Sequence, residues 1–158
     1  MTANAGGDVT RADLQAAHRA PSEPVRRLFD DLTAVCLGDP AQCSPTPRAG
    51  AEKRLEVEHP LVVSPPETGE RGLCFSTSAV RIPGLDELEE ATVRRLLLEH
   101  VTRARFTVRH RWQPGDIAVR DNRAVWHPAV DDHGDVPRLG RHASVVSDRR
   151  PGSATAAA

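Results

Sequence analysis

The sequence predicts one α+β domain with an antiparallel sheet that curls like a sandwich or barrel. Helical apolar periodicity occurs early, at residues 13–35, and once more at 86–101. Short, closely spaced alternating stretches then follow from residue 105. The length of 158 residues suits one domain with its own core. The domain is expected to span residues 1–151, and residues 152–158 are expected to form a disordered tail.

Two helices are predicted near the start of the chain, at residues 13–20 and 22–35, with Pro21 between them. Ser22 is suited to cap the second helix, and Pro24 is tolerated in its first turn. The second helix carries an apolar stripe with i, i+3, i+4, i+7 spacing, formed by Val25, Leu28, Phe29 and Leu32.

A loop rich in Pro, Gly and Ser is predicted at residues 36–54, followed by short strands at 55–63 and 72–75. Asp86 and Glu89 have the spacing of a capping box, which predicts a helix over 86–101. Its apolar side is expected to comprise Leu88, Ala91, Leu96 and Val101.

The last third of the chain is predicted to form short strands separated by turns. In "RFTVRHRW", Phe106, Val108, His110 and Trp112 alternate with polar residues, as in a half-buried strand. Three more strands are expected at "IAVR" (117–120), "AVWH" (124–127) and "RHASVVS" (141–147).

Composition argues against several classes of partner. The net charge is −1 with both signs mixed, and Lys53 is the only lysine, so binding to nucleic acid or to a membrane is not predicted. Cys36, Cys43 and Cys74 lack metal-type spacing, so free thiols are predicted, with a Cys36–Cys43 bridge as the alternative. No apolar leader or membrane-length run is evident, which predicts a cytoplasmic protein.

His127 and Arg138 are the residues with the clearest chemical use. On alternation alone, Arg123 and His127 share one face of a strand, and Arg138 and His142 share one face of a later strand. A hairpin through "PAVDDHGDVP" would bring His127 close to Arg138. Imidazole is a good Fe(II) ligand, and guanidinium binds a carboxylate at two points.

The stretches "RHRWQPGDIAVRDNRAVWHPAVDD" and "RLGRHASVVSDRRP" resemble the C-terminal signature of the TauD/TfdA (taurine dioxygenase) family of Fe(II)/2-oxoglutarate-dependent dioxygenases. The family pattern runs W-x-P-x-D-x-x-x-x-D-N-R, then three residues to a histidine and about eleven more to an arginine. His127 and Arg138 occupy those positions. "EHPLVVSPPETGERGLCF" and "GGDVTRADL" are similar to earlier family segments, so the resemblance covers about residues 5–151.

The resemblance implies an incomplete double-stranded β-helix (jelly-roll, cupin-like) with flanking helices. It implies that His127 is a ligand to Fe(II), that Arg138 binds the co-substrate 2-oxoglutarate, and that His142 or Arg141 faces the substrate. The reaction implied consumes molecular oxygen and 2-oxoglutarate and hydroxylates a small anionic molecule such as taurine or another sulfonate.

The chain also departs from the family pattern. The family's other two iron ligands form a His-x-Asp pair that would have to precede Met1, so the chain resembles a truncated member. The family threonine that binds 2-oxoglutarate corresponds to Val9, and an aromatic residue before D-N-R corresponds to Arg120. His133 and Asp135 form a literal His-x-Asp, but their Asp- and Gly-rich surroundings favour a solvated turn over a permuted ligand set.

A second hypothesis is a catalytically inactive remnant that serves as a binding or oligomerisation module. An incomplete β-helix would expose sheet edges, which leaves a homo-oligomer open. His110 is interpreted as a core histidine, whereas Asp121, Asn122 and Arg123 are interpreted as structural turn residues.

Overall fold

The computed structural model describes residues 8–38, 55–76, 79–128, 143–145 and 152–153. Helices and antiparallel sheets both occur, which confirms the mixed α and β class. The described elements are β1 (Val9–Asp13), α1 (Leu14–Arg19), α2 (Glu23–Asp31), β2 (Thr33–Gly38), β3 (Leu55–Pro60), β4 (Val62–Ser64), β5 (Gly72–Leu73), β6 (Ala79–Arg81), α3 (Glu87–Val101), a 3-10 turn (Ala104–Phe106), β7 (Thr107–His110), β8 (Val125–Trp126) and β9 (Gly152–Ser153).

Within the described residues, the strands form three small antiparallel sheets and no closed barrel, in the orders β7-β1-β8, β3-β2-β6 and β5-β4-β9. The longest pairing joins β2 to β3, in register from Thr33 opposite Pro60 to Gly38 opposite Leu55. β1 lies between β7 and β8, and its last two residues face β8. The C-terminal part of the chain is therefore tied to its beginning.

The core lies where α1, α2 and α3 pack against β4 and β5. Its largest fully buried side chains include Phe29, Leu61, Leu73 and Leu97. Gly72 permits the close approach of α1 to β5, because a Cβ there would lie 3.1 Å from the Gln15 side chain. α1 therefore packs closely against β5, the strand that immediately precedes Cys74.

α3 begins where the sequence predicts it to begin. Asp86 Oδ1 accepts a hydrogen bond from the Glu89 backbone N–H at 2.8 Å, and Glu89 Oε2 accepts one from the Asp86 N–H at 3.0 Å, which is the predicted capping box. The predicted apolar side is wrong except at Val101, because Leu88 is 77% exposed. The side facing the core comprises Val93, Leu97, His100 and Val101.

The second helix ends earlier than predicted, at Asp31, and β2 begins at Thr33. The predicted extension of this helix to residue 35 is therefore wrong. Leu32 already has an extended ψ of 151°, and the next six residues pair with β3 on one side and β6 on the other. Such pairing depends on residues far away in the chain, and it overrides the local helical period.

Several strand predictions also need correction. The predicted strand 55–63 is split into β3 and β4, which belong to different sheets. No strand forms at 117–120, where Ile117 and Val119 are 90% and 93% exposed. In β7, Val108 is 62% exposed instead of packed. Of the predicted strand 141–147 only 143–145 is described, and it is not in a strand.

Gly152 and Ser153, which were predicted to lie in a tail, pair with Ser64 and Val63 of β4. Among the described residues, no helix is long and apolar enough to span a membrane. The longest of those helices, α3, has 15 residues.

Candidate active site

His127, the residue directly after β8, lies in the wall of a pocket formed by several elements. Val125 and Trp126 pair with Asp13 and Ala12 of β1, and His127 follows directly. The pocket has a volume of about 260 Å³. Its walls come from α1, β2, β3, the segment after β5, and the chain around β8, and are formed by Leu14, Cys36, His59, Leu73, Cys74, Phe75, Ser76, Asn122, Arg123, Val125, Trp126 and His127.

The Asp121–Arg123 turn just before β8 is held by its own side chains. Asp121 Oδ1 accepts the Arg123 backbone N–H at 2.8 Å, and Asp121 Oδ2 accepts from the Arg123 guanidinium at 2.8 Å. These hydrogen bonds lower the pKa of Asp121 below its ordinary value. Arg123 Nη1 also lies 2.9 Å from Glu67 Oε2 in the "PETG" segment. This ion pair connects the Asp121–Arg123 turn to a distant part of the chain, in line with a structural role for Asp121 and Arg123.

Arg120 contacts the imidazole of His127 directly. Its Nη2 donates a hydrogen bond to His127 Nε2 at 2.7 Å, and its Nε donates to Asn122 Oδ1 at 3.2 Å. Since guanidinium has donors and no acceptor, His127 Nε2 is the acceptor and carries its lone pair toward Arg120. The sequence drew attention to Arg120 as a departure from the family pattern, but not to this contact.

Two thiols lie on the pocket wall, from Cys36 on β2 and Cys74 just after β5. Burial, with a smaller effect of the nearby Cys36, raises the pKa of Cys74 to about 11. Cys74 is therefore protonated at neutral pH and a poor nucleophile. Cys43, the alternative partner of Cys36, lies outside the described residues.

The family model of the taurine catabolism dioxygenase TauD, TfdA family matches residues 2–145. The chain belongs to the TauD, TfdA family. It is 36% identical over 154 residues to an alpha-ketoglutarate-dependent sulfate ester dioxygenase of Pseudomonas putida, covering 90% of this chain and 51% of that protein. It is 30% identical over 159 residues to an alkylsulfatase of Acinetobacter baylyi, covering 94% and 50%.

A crystal structure of a taurine dioxygenase from Burkholderia xenovorans superposes with a TM-score of 0.67 at 39% identity, covering 78% of this chain and 40% of that one. The chain thus spans about half the length of the curated relatives it matches. The taurine dioxygenase match confirms the family expectation for the fold at the level of mixed helices and antiparallel sheets.

The donor set decides how far the described residues suit the iron of the family. Among residues 8–38, 55–76, 79–128, 143–145 and 152–153, no group of three His, Cys, Asp or Glu side chains could hold a metal ion. His127 supplies one imidazole nitrogen to the pocket, and a single such ligand has no chelate advantage. The described residues therefore fit one ligand position of an iron site and not a complete site.

The other predicted site residues lie outside the described residues. These are Arg138, the candidate 2-oxoglutarate ligand, together with Arg141 and His142 on the substrate side. His133 and Asp135, the literal His-x-Asp, also lie outside them.

Two further residues that the sequence singles out, Val9 and His110, lie on β1 and β7. Val9, at the family's threonine position, lies on β1 opposite His110 of β7. His110 is half-buried instead of a core residue: its Nε2 lies 3.2 Å from Asp116 Oδ2, and its ring packs edge-on against Trp112 at 4.6 Å.

Among the described residues the buried histidines are His18 and His100, which the sequence did not single out. His18 Nε2 lies 2.9 Å from Asp30 Oδ1, and His100 Nε2 lies 2.8 Å from the Ala17 carbonyl oxygen. Burial lowers the pKa of both below the ordinary value, although these same partners act to raise it. At neutral pH each is an uncharged structural residue that joins α1 to its neighbours.

Proposed function

We propose that this chain carries part of the active site of an Fe(II)/2-oxoglutarate-dependent dioxygenase that acts on a small organic sulfate ester or sulfonate. The observation that carries the proposal is the position of His127, whose Nε2 faces a guanidinium in a pocket built from five parts of the chain. Family membership supplies the reaction class, and relatives named for sulfate esters and taurine support the substrate class.

The proposed roles follow the family motif. His127 would be a ligand to iron, Arg138 would bind a carboxylate of 2-oxoglutarate in two-point fashion, and His142 or Arg141 would face the anionic group of the substrate. When bound, Fe(II) would activate molecular oxygen, so that 2-oxoglutarate leaves as succinate and CO2 while a substrate C–H bond is converted to C–OH.

The described residues would prepare the pocket in three ways. The Asp121–Arg123–Glu67 contacts fix the turn before β8 and hence the approach of His127. Leu73, Phe75 and other apolar side chains of the wall limit the access of water. The guanidinium groups of Arg120 and Arg123 add positive charge, which favours anionic ligands.

For the fold, we propose that the three small sheets are parts of an incomplete double-stranded β-helix of the jelly-roll, cupin-like kind, with α1, α2 and α3 on its flank. The antiparallel pairing of every described sheet supports this arrangement. Among the described residues, Cys36 and Cys74 form no disulfide, which supports the cytoplasmic location expected from the sequence.

The direct test is turnover by the chain with Fe(II), 2-oxoglutarate and oxygen, using hexyl sulfate and taurine as substrates and succinate as the product measured. Succinate formation that depends on substrate is expected when the chain is joined to a segment that supplies the other two iron ligands of the family, and His127→Ala should then reduce it by at least about a hundredfold. His110→Gln is the matched control, since it changes a half-buried histidine that does not line the pocket.

Equal rates in the parent protein and in His127→Ala would refute the assignment of His127. A complete lack of turnover, together with no effect of His127 on metal binding, would instead favour the inactive binding or oligomerisation module.

A further inference from the structure

Residues 116–120, with the sequence "DIAVR", carry an exposed apolar strip. Ile117 and Val119 are 90% and 93% exposed, whereas Ala118 and Arg120 are half-buried. This alternation is typical of a β-strand that turns one face outward. The outward face is apolar, so it lacks the charges that commonly keep an open strand from pairing with another chain.

Two turns hold this segment at its ends. Before it, the Asp116 backbone N–H donates to the Gln113 carbonyl oxygen at 3.1 Å, and Asp116 Oδ2 accepts from the Gln113 N–H at 2.9 Å. After it comes the Asp121–Arg123 turn, which is held by its own hydrogen bonds. A segment fixed in this way loses less conformational entropy when it pairs with a partner.

The backbone of residues 117–119 is available for pairing within the described part of the chain. No backbone–backbone hydrogen bond among the described residues involves these three residues, and none of the three described sheets includes them. Open N–H and C=O groups beside an apolar face are the features that a second strand recognises.

The segment is complementary to itself. If two copies pair in antiparallel fashion about Ala118, Ile117 lies opposite the partner's Val119, and Asp116 lies opposite the partner's Arg120. Each of these pairs occurs twice because a two-fold axis relates the copies. Cross-strand pairs of β-branched side chains and of opposite charges both stabilise a sheet.

The charged side chains at the two ends keep groups for such a partner. Among the described residues, the contacts of Asp116 both use Oδ2, and those of Arg120 use Nε and Nη2. A carboxylate has a second oxygen, and a guanidinium has five N–H donors. Asp116 Oδ1 and Arg120 Nη1 can therefore form an intersubunit ion pair while the contacts within the chain persist.

We propose that residues 116–120 pair as an antiparallel strand with the same residues of a second copy, so that the chain forms a homodimer. The occupant is a second copy because the segment matches itself in both charge and apolar side chains. The interface is short, so the dimer is weak and dissociates on dilution. This inference does not depend on the proposed dioxygenase activity.

Sedimentation velocity over a range of protein concentrations tests the association. The average mass should rise from the 17.1 kDa of one chain toward twice that value. Val119→Lys should weaken the association by at least about tenfold, because it replaces an apolar cross-strand pair twice in the dimer. Leu88→Lys is the matched control, since it makes the same kind of change at a 77% exposed position on α3.

Cysteine cross-linking tests the register. Directly opposite residues have Cβ atoms about 5 Å apart, close to the spacing of a disulfide. Ala118→Cys should therefore form a 118–118 disulfide in diamide, identified by peptide mass spectrometry. Val119→Cys should link slowly to itself, because the two copies of residue 119 lie diagonally, and rapidly to Ile117→Cys in a mixture. Leu88→Cys gives the background rate of random collision.

Three results would overturn the proposal. The first is a parent protein that stays monomeric at about 1 mM, the weak end of specific association; the strip would then be left for another occupant, such as further polypeptide like that by which the relatives exceed this chain. The second is an equal effect of Val119→Lys and Leu88→Lys on the dimer. The third is cross-linking of Ala118→Cys no faster than that of Leu88→Cys.

Discussion

Replacing Asp30 with alanine tests the contact that joins α1, α2 and the segment before β5. Asp30 Oδ1 lies 2.9 Å from His18 Nε2 and also contacts Arg71 Nη2. His18 is on α1, Asp30 is on α2, and Arg71 immediately precedes β5. Leu73 and Cys74 of the pocket wall closely follow Arg71 in the chain, so we expect these contacts to help hold that part of the wall in place.

The expected loss in the free energy of unfolding follows from how deeply the partners of Asp30 are buried. The His18 side chain is 3% exposed and uncharged at neutral pH, since burial lowers its pKa. Loss of Asp30 leaves the buried His18 Nε2 without that partner, which costs roughly 1–3 kcal/mol of folding free energy. The Arg71 side chain is 40% exposed, so its share is at most about 1 kcal/mol. Asp30→Ala should lower the free energy of unfolding by about 2 kcal/mol.

Urea unfolding at pH 7.5 measures this loss, expected as a fall of about 1 M in the midpoint with an unchanged m-value. Asp31→Ala is the matched control: Asp31 is exposed and adjacent on the same helix. Both changes remove a negative charge from the last turn of α2 and introduce a better helix former, so these effects cancel in the comparison. A difference below about 0.5 kcal/mol between the two variants would show that the cluster contributes little.

Three further predictions concern pH, packing and thiol reactivity. Burial lowers the pKa of His18 and His100, so below about pH 6.5 the unfolded chain binds more protons than the folded one. The urea midpoint should therefore fall as the pH drops from 7.5 to 5, and a midpoint that does not change with pH would contradict this. Leu97→Ala should lower the free energy of unfolding in urea by about 2–5 kcal/mol, because Leu97 is fully buried. Leu98→Ala, at a 40% exposed position, should lower it by under about 1 kcal/mol. Similar losses in the two variants would refute the assignment of the buried face of α3. With its pKa near 11, Cys74 should react with iodoacetamide at pH 8 on the order of tenfold more slowly in the folded protein than in urea, by peptide mass spectrometry; equal rates would argue against its burial.

Local signals in the sequence predict the structure correctly where the contacts that matter are also local. The Asp86 and Glu89 capping box needs only a spacing of three residues, and α3 begins there. The boundary at Thr33 is different, because the helical period continues past it. Pairing with β3 and β6 decides that boundary, and neither partner is near in sequence. The exposure of Ile117 has the same origin, since an alternating pattern predicts a strand but cannot supply its partner.

By itself, the sequence determined the family and the spacing that marks His127, because a motif of fixed residue types and intervals is visible without coordinates. Tertiary structure alone decided that Arg120 contacts His127 Nε2, and that Cys36, His59 and Cys74 share its pocket. The physical reason is that side-chain contacts depend on how the D-N-R turn closes and on which strands meet. Those choices are made by burial and hydrogen bonding summed over distant parts of the chain.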